Sequence, residues 1–111
     1  MTDEQRDTLK AFRDAVNMAP AELEKWLDTD ESREVGQKPD GGGESVGHHS
    51  GRRIVELLRT KQADLTDDDL AHMRKVVGYV HRYLAQRPEG SVTDTPWRYS
   101  LMNWGHDPDA A

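Results

Sequence analysis

The stretch Thr66–Pro88, TDDDLAHMRKVVGYVHRYLAQRP, decides the fold. Its apolar residues recur at the a and d spacing of a helix, and two more widen the stripe: Leu70, Met73, Val77, Val80 and Leu84, with Val76 and Tyr83. Thr66 suits an N-cap, and the three aspartates after it suit the positive end of a helix dipole. The pattern predicts a long helix that runs to about Gln86 and organises the core.

Two further helices are predicted in the first third of the chain. Thr2 and Gln5 match a capping box, which starts a helix from about Asp3 to Val16. Pro20 suits the first turn of a second helix, because proline there loses no intrahelical hydrogen bond. A short additional turn is expected over residues 29–35. The acids and bases of these segments lie outside their apolar faces, as a surface helix requires.

Residues 36–51 separate these helices from the next one. They hold six of the nine glycines and show no apolar periodicity, so they are predicted to form a loop. Ser50 is the expected cap of a third main helix from Gly51 to about Thr60.

The C-terminal segment is predicted to dock on the core. Thr95 and Pro96 form a cap and first-turn pair, and apolar residues follow at helical spacing: Trp97, Leu101 and Trp104. Residues 105–111 are expected to form a flexible tail. The whole pattern predicts one all-α domain over residues 1–111, with four main helices and a docked aromatic segment.

The composition narrows the functional classes. The 111 residues include no cysteine, which excludes disulfides and thiolate chemistry, and no stretch approaches the length of apolar sequence that spans a bilayer. We therefore expect a cytoplasmic protein without a cofactor. The formal net charge is −6, but residues 1–48 carry −6 and residues 49–104 carry +2, which predicts a bipolar surface.

The glycine-rich segment Gly41–Arg53, GGGESVGHHSGRR, is the first candidate site. Free backbone N–H groups before a helix attract anions, and Arg52 and Arg53 strengthen that attraction. It is not a P-loop, because the Lys-Ser/Thr pair is missing and Glu44 opposes phosphate. The alternative is a surface connector without a ligand.

Histidine and serine side chains suggest no specific chemistry. His48 and His49, with Glu44 or Asp40, match no recognised metal spacing, so surface histidines are the favoured interpretation. Ser50 beside these histidines fixes no nucleophile geometry. We expect no catalytic residue and no metal site.

A second face of the long helix shows a regular pattern of residue types. Its centre is a strip of minimal side chains, Ala71, Gly78 and Ala85, bordered by Arg74 and His81 on one side and Lys75 and Arg82 on the other. One interpretation is that an acidic helix of this same chain crosses the strip and pairs with the bases. In the other, a phosphate backbone or an acidic partner approaches the strip.

These observations predict a noncatalytic protein that binds nucleic acid, with DNA as the candidate, weakly and with strong salt dependence. The expected binding residues form a basic patch: Gly51, Arg52, Arg53, Arg59, Arg74, Lys75 and Arg82. The alternative is a protein-interaction or homo-oligomeric helical module that uses the strip of small residues.

The chain also contains four long motifs: Val16–Glu34 (VNMAPAELEKWLDTDESRE), Gly42–Leu58 (GGESVGHHSGRRIVELL), His72–Arg87 (HMRKVVGYVHRYLAQR) and Trp97–Pro108 (WRYSLMNWGHDP). On these motifs it resembles an uncharacterised actinobacterial family, domain of unknown function 3140, which has fungal relatives. Some members of that family are labelled DNA-binding protein.

The resemblance implies a self-contained cytoplasmic protein rather than a fragment, and the family brings no established activity or catalytic residues to carry over. It also draws attention to a motif around the start of the third main helix: Gly47, His48, Ser50, Gly51, Arg52 and Arg53. That motif fits an anion site and equally fits a fixed joint between loop and helix.

Overall fold

A computed structural model describes residues 1–36 and 44–110 of the chain. These ranges contain helices and no strand: α1 (Asp3–Ala15), α2 (Pro20–Leu27), α3 (Asp30–Glu34), α4 (Val46–Leu58), α5 (Asp67–Ala85) and α6 (Pro96–Asn103), with a 3-10 turn at Gln62–Asp64. The predicted all-α fold is confirmed. Within the same ranges, every helix is too short or too polar to cross a membrane.

The predicted helix starts at Thr2, Thr66 and Thr95 are confirmed. Each threonine hydroxyl accepts a hydrogen bond from a backbone N–H in the first turn of its helix. The capping boxes at Thr2 and Thr66 are complete, with Gln5 and Asp69 as the reciprocal acceptors. These signals are local, because a cap needs only residues three positions apart.

The predicted start of the third main helix is wrong. This helix, α4, begins at Val46, and its cap is Ser45, whose hydroxyl accepts the N–H of His48 at 3.1 Å. Gly51 therefore lies inside α4, where the chain passes α2 and α6 closely. Of the predicted loop, residues 37–43 lie outside the described residues. The glycine content of residues 36–51 predicted a loop. That prediction fails from Val46 onward, because tertiary packing outweighs helix propensity there.

Two helix pairs make up the core. The α5 helix packs on α1, α2 packs on α4, and α6 lies across α2, α3, α4 and α5. The largest fully buried side chains come from all of these layers: Phe12, Leu23, Ile54, Met73 and Leu101. The α6 helix thus joins the two pairs into one core, as the predicted docking of the C-terminal tryptophans requires.

The C-terminal residues after α6 are attached to the start of the chain. Both Asn17 and Met18 donate their backbone N–H to the carbonyl of Gly105, which has φ +83°, and His106 Nδ1 lies 2.7 Å from the carbonyl of Ala15. The Arg98 guanidinium donates two hydrogen bonds to the carboxylate of Asp107. Residues 105–109 are therefore anchored in the structure, where the sequence predicted a flexible tail.

Candidate functional site

The six cations of the predicted basic patch come from two helices. Arg52 and Arg53 belong to α4, Arg59 follows directly after that helix, and Arg74, Lys75 and Arg82 belong to α5. The two groups have different surroundings, and this difference decides which of them is available to a ligand.

The arginines of α4 and its C-cap are bound to carboxylates of the chain itself. Arg52 forms an ion pair with Glu44. Arg53 Nη2 lies 2.9 Å from Asp68 Oδ2 and 3.4 Å from Asp69 Oδ1. Arg59 Nη1 lies 2.9 Å from Glu24 Oε2. Half of the predicted patch is therefore neutralised within the protein.

Glu44 is the centre of the first of these ion pairs. Burial raises the pKa of Glu44, but hydrogen bonds from Arg52 and His48 outweigh it and lower the pKa to about 2. The other ring nitrogen of His48, Nε2, lies 2.7 Å from the carbonyl oxygen of Leu27. Because both nitrogens of His48 are engaged, the cluster fastens α4 to the end of α2. Of the metal ligands considered from sequence, Asp40 lies outside the described residues.

Gly51 is not an anion-binding residue in this arrangement. A Cβ on Gly51 would lie 2.6 Å from the carbonyl oxygen of Asn103 and 2.7 Å from Leu27 Cδ2. Glycine is needed there because two neighbouring helices occupy the space that a side chain would fill. The sequence placed Gly51 at a helix N-terminus, where free N–H groups attract anions, but its backbone is inside α4 and covered.

The exposed side of α5 holds the remaining cations. We call this surface the α5 face; it consists of Ala71, Arg74, Lys75, Gly78, His81, Arg82 and Ala85. Gly78 is half-buried and the other six residues are exposed. The face extends over about 21 Å at the helical rise of about 1.5 Å per residue.

Among the described residues, no helix of the chain crosses the α5 face. A Cβ on Gly78 would meet only the Nη1 atom of Arg82, at 3.4 Å. For residues 1–36 and 44–110, the interpretation in which an acidic helix of this chain covers the strip is therefore wrong. Within residues 1–36 and 44–110, Arg74, Lys75 and Arg82 form no ion pair.

A buried serine–histidine contact lies on another side of α5. The Ser50 hydroxyl lies 2.9 Å from His72 Nε2, and Ser50 is only 2% exposed. Burial, followed by the charges of Arg53 and Lys75, lowers the pKa of His72 to about 4. The pair ties α4 to α5 through a neutral imidazole at neutral pH. Sequence reasoning missed it because the two residues are 22 positions apart on different helices.

A stack of aromatic rings continues from His72 between α5 and α6. The ring of Tyr79 lies 4.1 Å from that of Trp104 and 4.3 Å from that of Tyr83, with centroids as reference points, and both pairs are nearly parallel. The spacing of Tyr79 and Tyr83 on one helix is a sequence signal for this stack. The position of Trp104 against them depends on how α6 docks.

Comparison with known proteins gives one family. The model of a family described as protein of unknown function (DUF3140) matches residues 11–102. No curated protein and no solved structure matches the chain. The match includes α2 to α5, the last five residues of α1 and α6 up to its penultimate residue.

Proposed function

The chain belongs to the DUF3140 family of proteins of unknown function, and from this premise we propose that it is a noncatalytic binding protein whose α5 face receives an acidic helix of a partner protein. The observation that carries the proposal is the state of the α5 face: exposed, cationic and unpaired within the described residues. A cytoplasmic location stays a prediction.

The small residues at the centre of the α5 face support a helical partner. Ala71, Gly78 and Ala85 present almost no side chain, so the backbone of a second helix can approach closely along this line. The bordering cations then reach carboxylates on both sides of that helix. Charge-assisted hydrogen bonds of this kind are about twice as strong as neutral ones.

Acidic residues near the α5 face disfavour a wide polyanion, such as a DNA duplex, as its ligand. Glu4 and Asp7 of α1 lie next to Arg74 at the edge of a shallow depression, and Asp67 is exposed at the start of α5. A DNA duplex is broad enough to bring its phosphates near these acids as well. A single helix contacts only the cationic line.

DNA binding is the second candidate, and one observation favours it. Residues 70–88 contain four arginines or lysines and no aspartate or glutamate, in a chain with net charge −6. With the arginines of α4 and its C-cap paired, three fixed cations of the original patch remain. Neutralising about three phosphates gives a slope of about −3 in a plot of log K against log salt concentration.

A binding titration separates the candidates. The probes are a labelled alanine-rich helical peptide with glutamates on one face, and a labelled DNA duplex, each titrated with the protein at low and at moderate salt. We expect the peptide to bind more tightly than the duplex. Undetectable peptide binding at low salt would refute the proposed function, and tighter binding of the duplex would replace it with the second candidate.

Two matched triple variants locate the surface in the same titration. Replacing Arg74, Lys75 and Arg82 by glutamine is expected to weaken peptide binding about tenfold or more. Replacing Arg52, Arg53 and Arg59 by glutamine removes the same number of charges and is expected to change the affinity less than about threefold, since these arginines are already paired. A larger effect of the second triple variant would contradict the assignment to α5.

A further inference from the structure

The side of α1 that borders the α5 face is acidic. Glu4, Asp7 and Asp14 follow one another at spacings of three and seven residues, so they share one side of the helix, and all three are exposed. Within residues 1–36 and 44–110, none of the three forms an ion pair. The chain therefore carries an acidic helix of the kind that fits the α5 face.

This acidic side and the α5 face lie next to each other. Glu4, Asp7 and Ala11 line a shallow depression of about 280 Å³ together with Arg74 and Val77. Acids thus border the depression from α1 and a cation borders it from α5. We call the whole area the α1–α5 surface; it consists of the α5 face together with Glu4, Asp7, Ala11 and Asp14.

The opposite charges of the α1–α5 surface lie side by side rather than in contact. At 100° per residue, Lys75 and Arg82 lie about 80–100° around α5 from Arg74, on the side away from α1. The acids of α1 in the same chain therefore do not neutralise them. A second protein that covers both helices can bring an acid to each cation.

The directions of the two helices make this surface self-complementary. Near the start of both helices, Met1 shares a depression with Leu70, and further along both, Ala11 shares another with Val77, so α1 and α5 run the same way. A two-fold axis parallel to them places α1 of each copy opposite α5 of the other. The three acids of one copy then face the three fixed cations of its partner.

The charges also match in spacing. Asp7 and Asp14 are seven residues apart on α1, and Lys75 and Arg82 are seven apart on α5. Seven residues rise about 10.5 Å along an α-helix and return to nearly the same side. In a parallel pair of helices, both acids therefore reach a cation at the same time, and Gly78 between the cations leaves room for close approach.

We propose that the protein forms a symmetric dimer in which α1 of each copy is the acidic helix that binds the α5 face of the other. This inference rests on the proposed function, because it names the partner of the same face. Each copy uses both halves of its α1–α5 surface in one contact, so association stops at two copies.

The size of the α1–α5 surface predicts a weak dimer. The 13 residues of α1 extend over about 20 Å, and two adjacent helices are together about 20 Å wide. The contact covers about 400 Å² on each copy, about half of the area in a stable interface. We expect a Kd of about 0.1–1 mM at low salt, weakened about tenfold between about 20 and 300 mM salt, because exposed ion pairs are screened.

Sedimentation equilibrium with two charge-reversed variants tests the dimer. The acid-reversed variant carries Asp7→Lys and Asp14→Lys, and the base-reversed variant carries Lys75→Glu and Arg82→Glu. Each variant alone is expected to stay monomeric up to about 1 mM at low salt, since both halves of its surface then carry mainly one sign. An equimolar mixture is expected to form a mixed dimer with a Kd within about threefold of the wild-type value, because acids again face cations.

A matched control separates this contact from the general effect of charge. Glu22→Lys with Glu34→Lys changes the net charge as much as the acid-reversed variant does, but these exposed acids belong to α2 and α3. The control is expected to dimerise with a Kd within about threefold of the wild-type value. Circular dichroism is expected to be unchanged in all three variants, since every substitution is on the surface.

Four results would overturn the dimer: a wild-type protein that stays monomeric at about 1 mM and low salt, dimerisation that the acid-reversed variant retains, variants with wild-type circular dichroism that form no mixed dimer, and species larger than a dimer. Binding of the acidic helical peptide judges the proposed function separately. A monomeric protein whose α5 face still binds the peptide contradicts only the dimer, and a protein that binds neither contradicts both.

Discussion

Two glycines in the helices of this protein have opposite surroundings. Gly51 is buried against Asn103 and Leu27, whereas Gly78 has only the end of the flexible Arg82 side chain within reach of a Cβ. Helix propensity alone favours alanine over glycine by about 1 kcal/mol at both positions. Packing reverses this preference at Gly51, because an added methyl group has no space there.

We predict that Gly51→Ala lowers the free energy of unfolding by about 1–3 kcal/mol, since overpacking outweighs the gain in helix propensity. Gly78→Ala is the matched control and is expected to raise it by up to about 1 kcal/mol. Urea unfolding followed by tryptophan fluorescence measures both. Equal effects of the two substitutions would show that α4 does not pass its neighbours as closely as described.

His72 makes stability depend on pH. Its pKa is lowered from 6.5 to about 4 by burial and then by the charges of Arg53 and Lys75. As pH falls from about 6.5, the unfolded chain takes up a proton that the folded protein does not, so the free energy of unfolding decreases until about pH 4. The loss is at most about 3 kcal/mol.

Titration of the His72 ring by NMR is expected to show a midpoint near pH 4. His72→Gln is expected to reduce the loss of stability between about pH 6.5 and 4.5. The lowered pKa of Glu44 acts below that window, because the ordinary pKa of its carboxyl is 4.5. A His72 midpoint above pH 6 would contradict the buried contact with Ser50.

At the level of elements, a buried amide links α6 to the N-terminal helices. The oxygen of Asn103 accepts hydrogen bonds from Trp26 Nε1 at 2.8 Å and from the Ser32 hydroxyl at 2.5 Å, and its nitrogen donates to the Ser32 carbonyl at 2.9 Å. Asn103 is 1% exposed. This single side chain therefore connects α6 to both α2 and α3.

Removing that amide should weaken the docking of α6. We predict that Asn103→Ala costs about 2–4 kcal/mol, because it leaves buried polar groups of Trp26 and Ser32 without partners. Asn17→Ala, which removes exposed hydrogen bonds to the backbone of Asp107, is the control, with an expected cost below about 1 kcal/mol. Thermal unfolding compares the two. Similar losses of stability in the two variants would mean that the contacts of Asn103 do not stabilise the docked position of α6.

The elements that sequence predicts are those set by local contacts rather than by packing between helices. Three helix starts follow from local caps such as Thr66, and the core stripe of α5 follows from its periodicity. The start of α4 does not follow from the glycine content, which favours a loop, although its cap, Ser45, is a local signal of the same kind. Gly47 and Gly51 have close neighbours from segments that pack against α4, and this packing offsets their low helix propensity.

At the scale of the whole molecule, the six cations of the predicted basic patch form two groups. Three are paired with carboxylates of the chain, and three are unpaired within the described residues. Sequence predicts both groups, since each lies on a helix face at regular spacing. It does not predict that Arg52, Arg53 and Arg59 meet Glu44, Asp68 and Glu24. Those pairs join residues that are 8 to 35 positions apart. The packing of α2 on α4 brings Arg59 to Glu24, and the pair of Arg53 with Asp68 links α4 to the start of α5.

The central claim, that the α5 face is the binding surface, is tested most directly by mapping the acidic helical peptide on ¹⁵N-labelled protein. Gly78 gives the most useful signal, because glycine amides are well separated in such spectra. We predict that the amides of Ala71, Gly78 and Ala85 shift together and that those of Arg52 and Arg53 do not. Shifts concentrated on α4, or no shifts at low salt, would contradict the account.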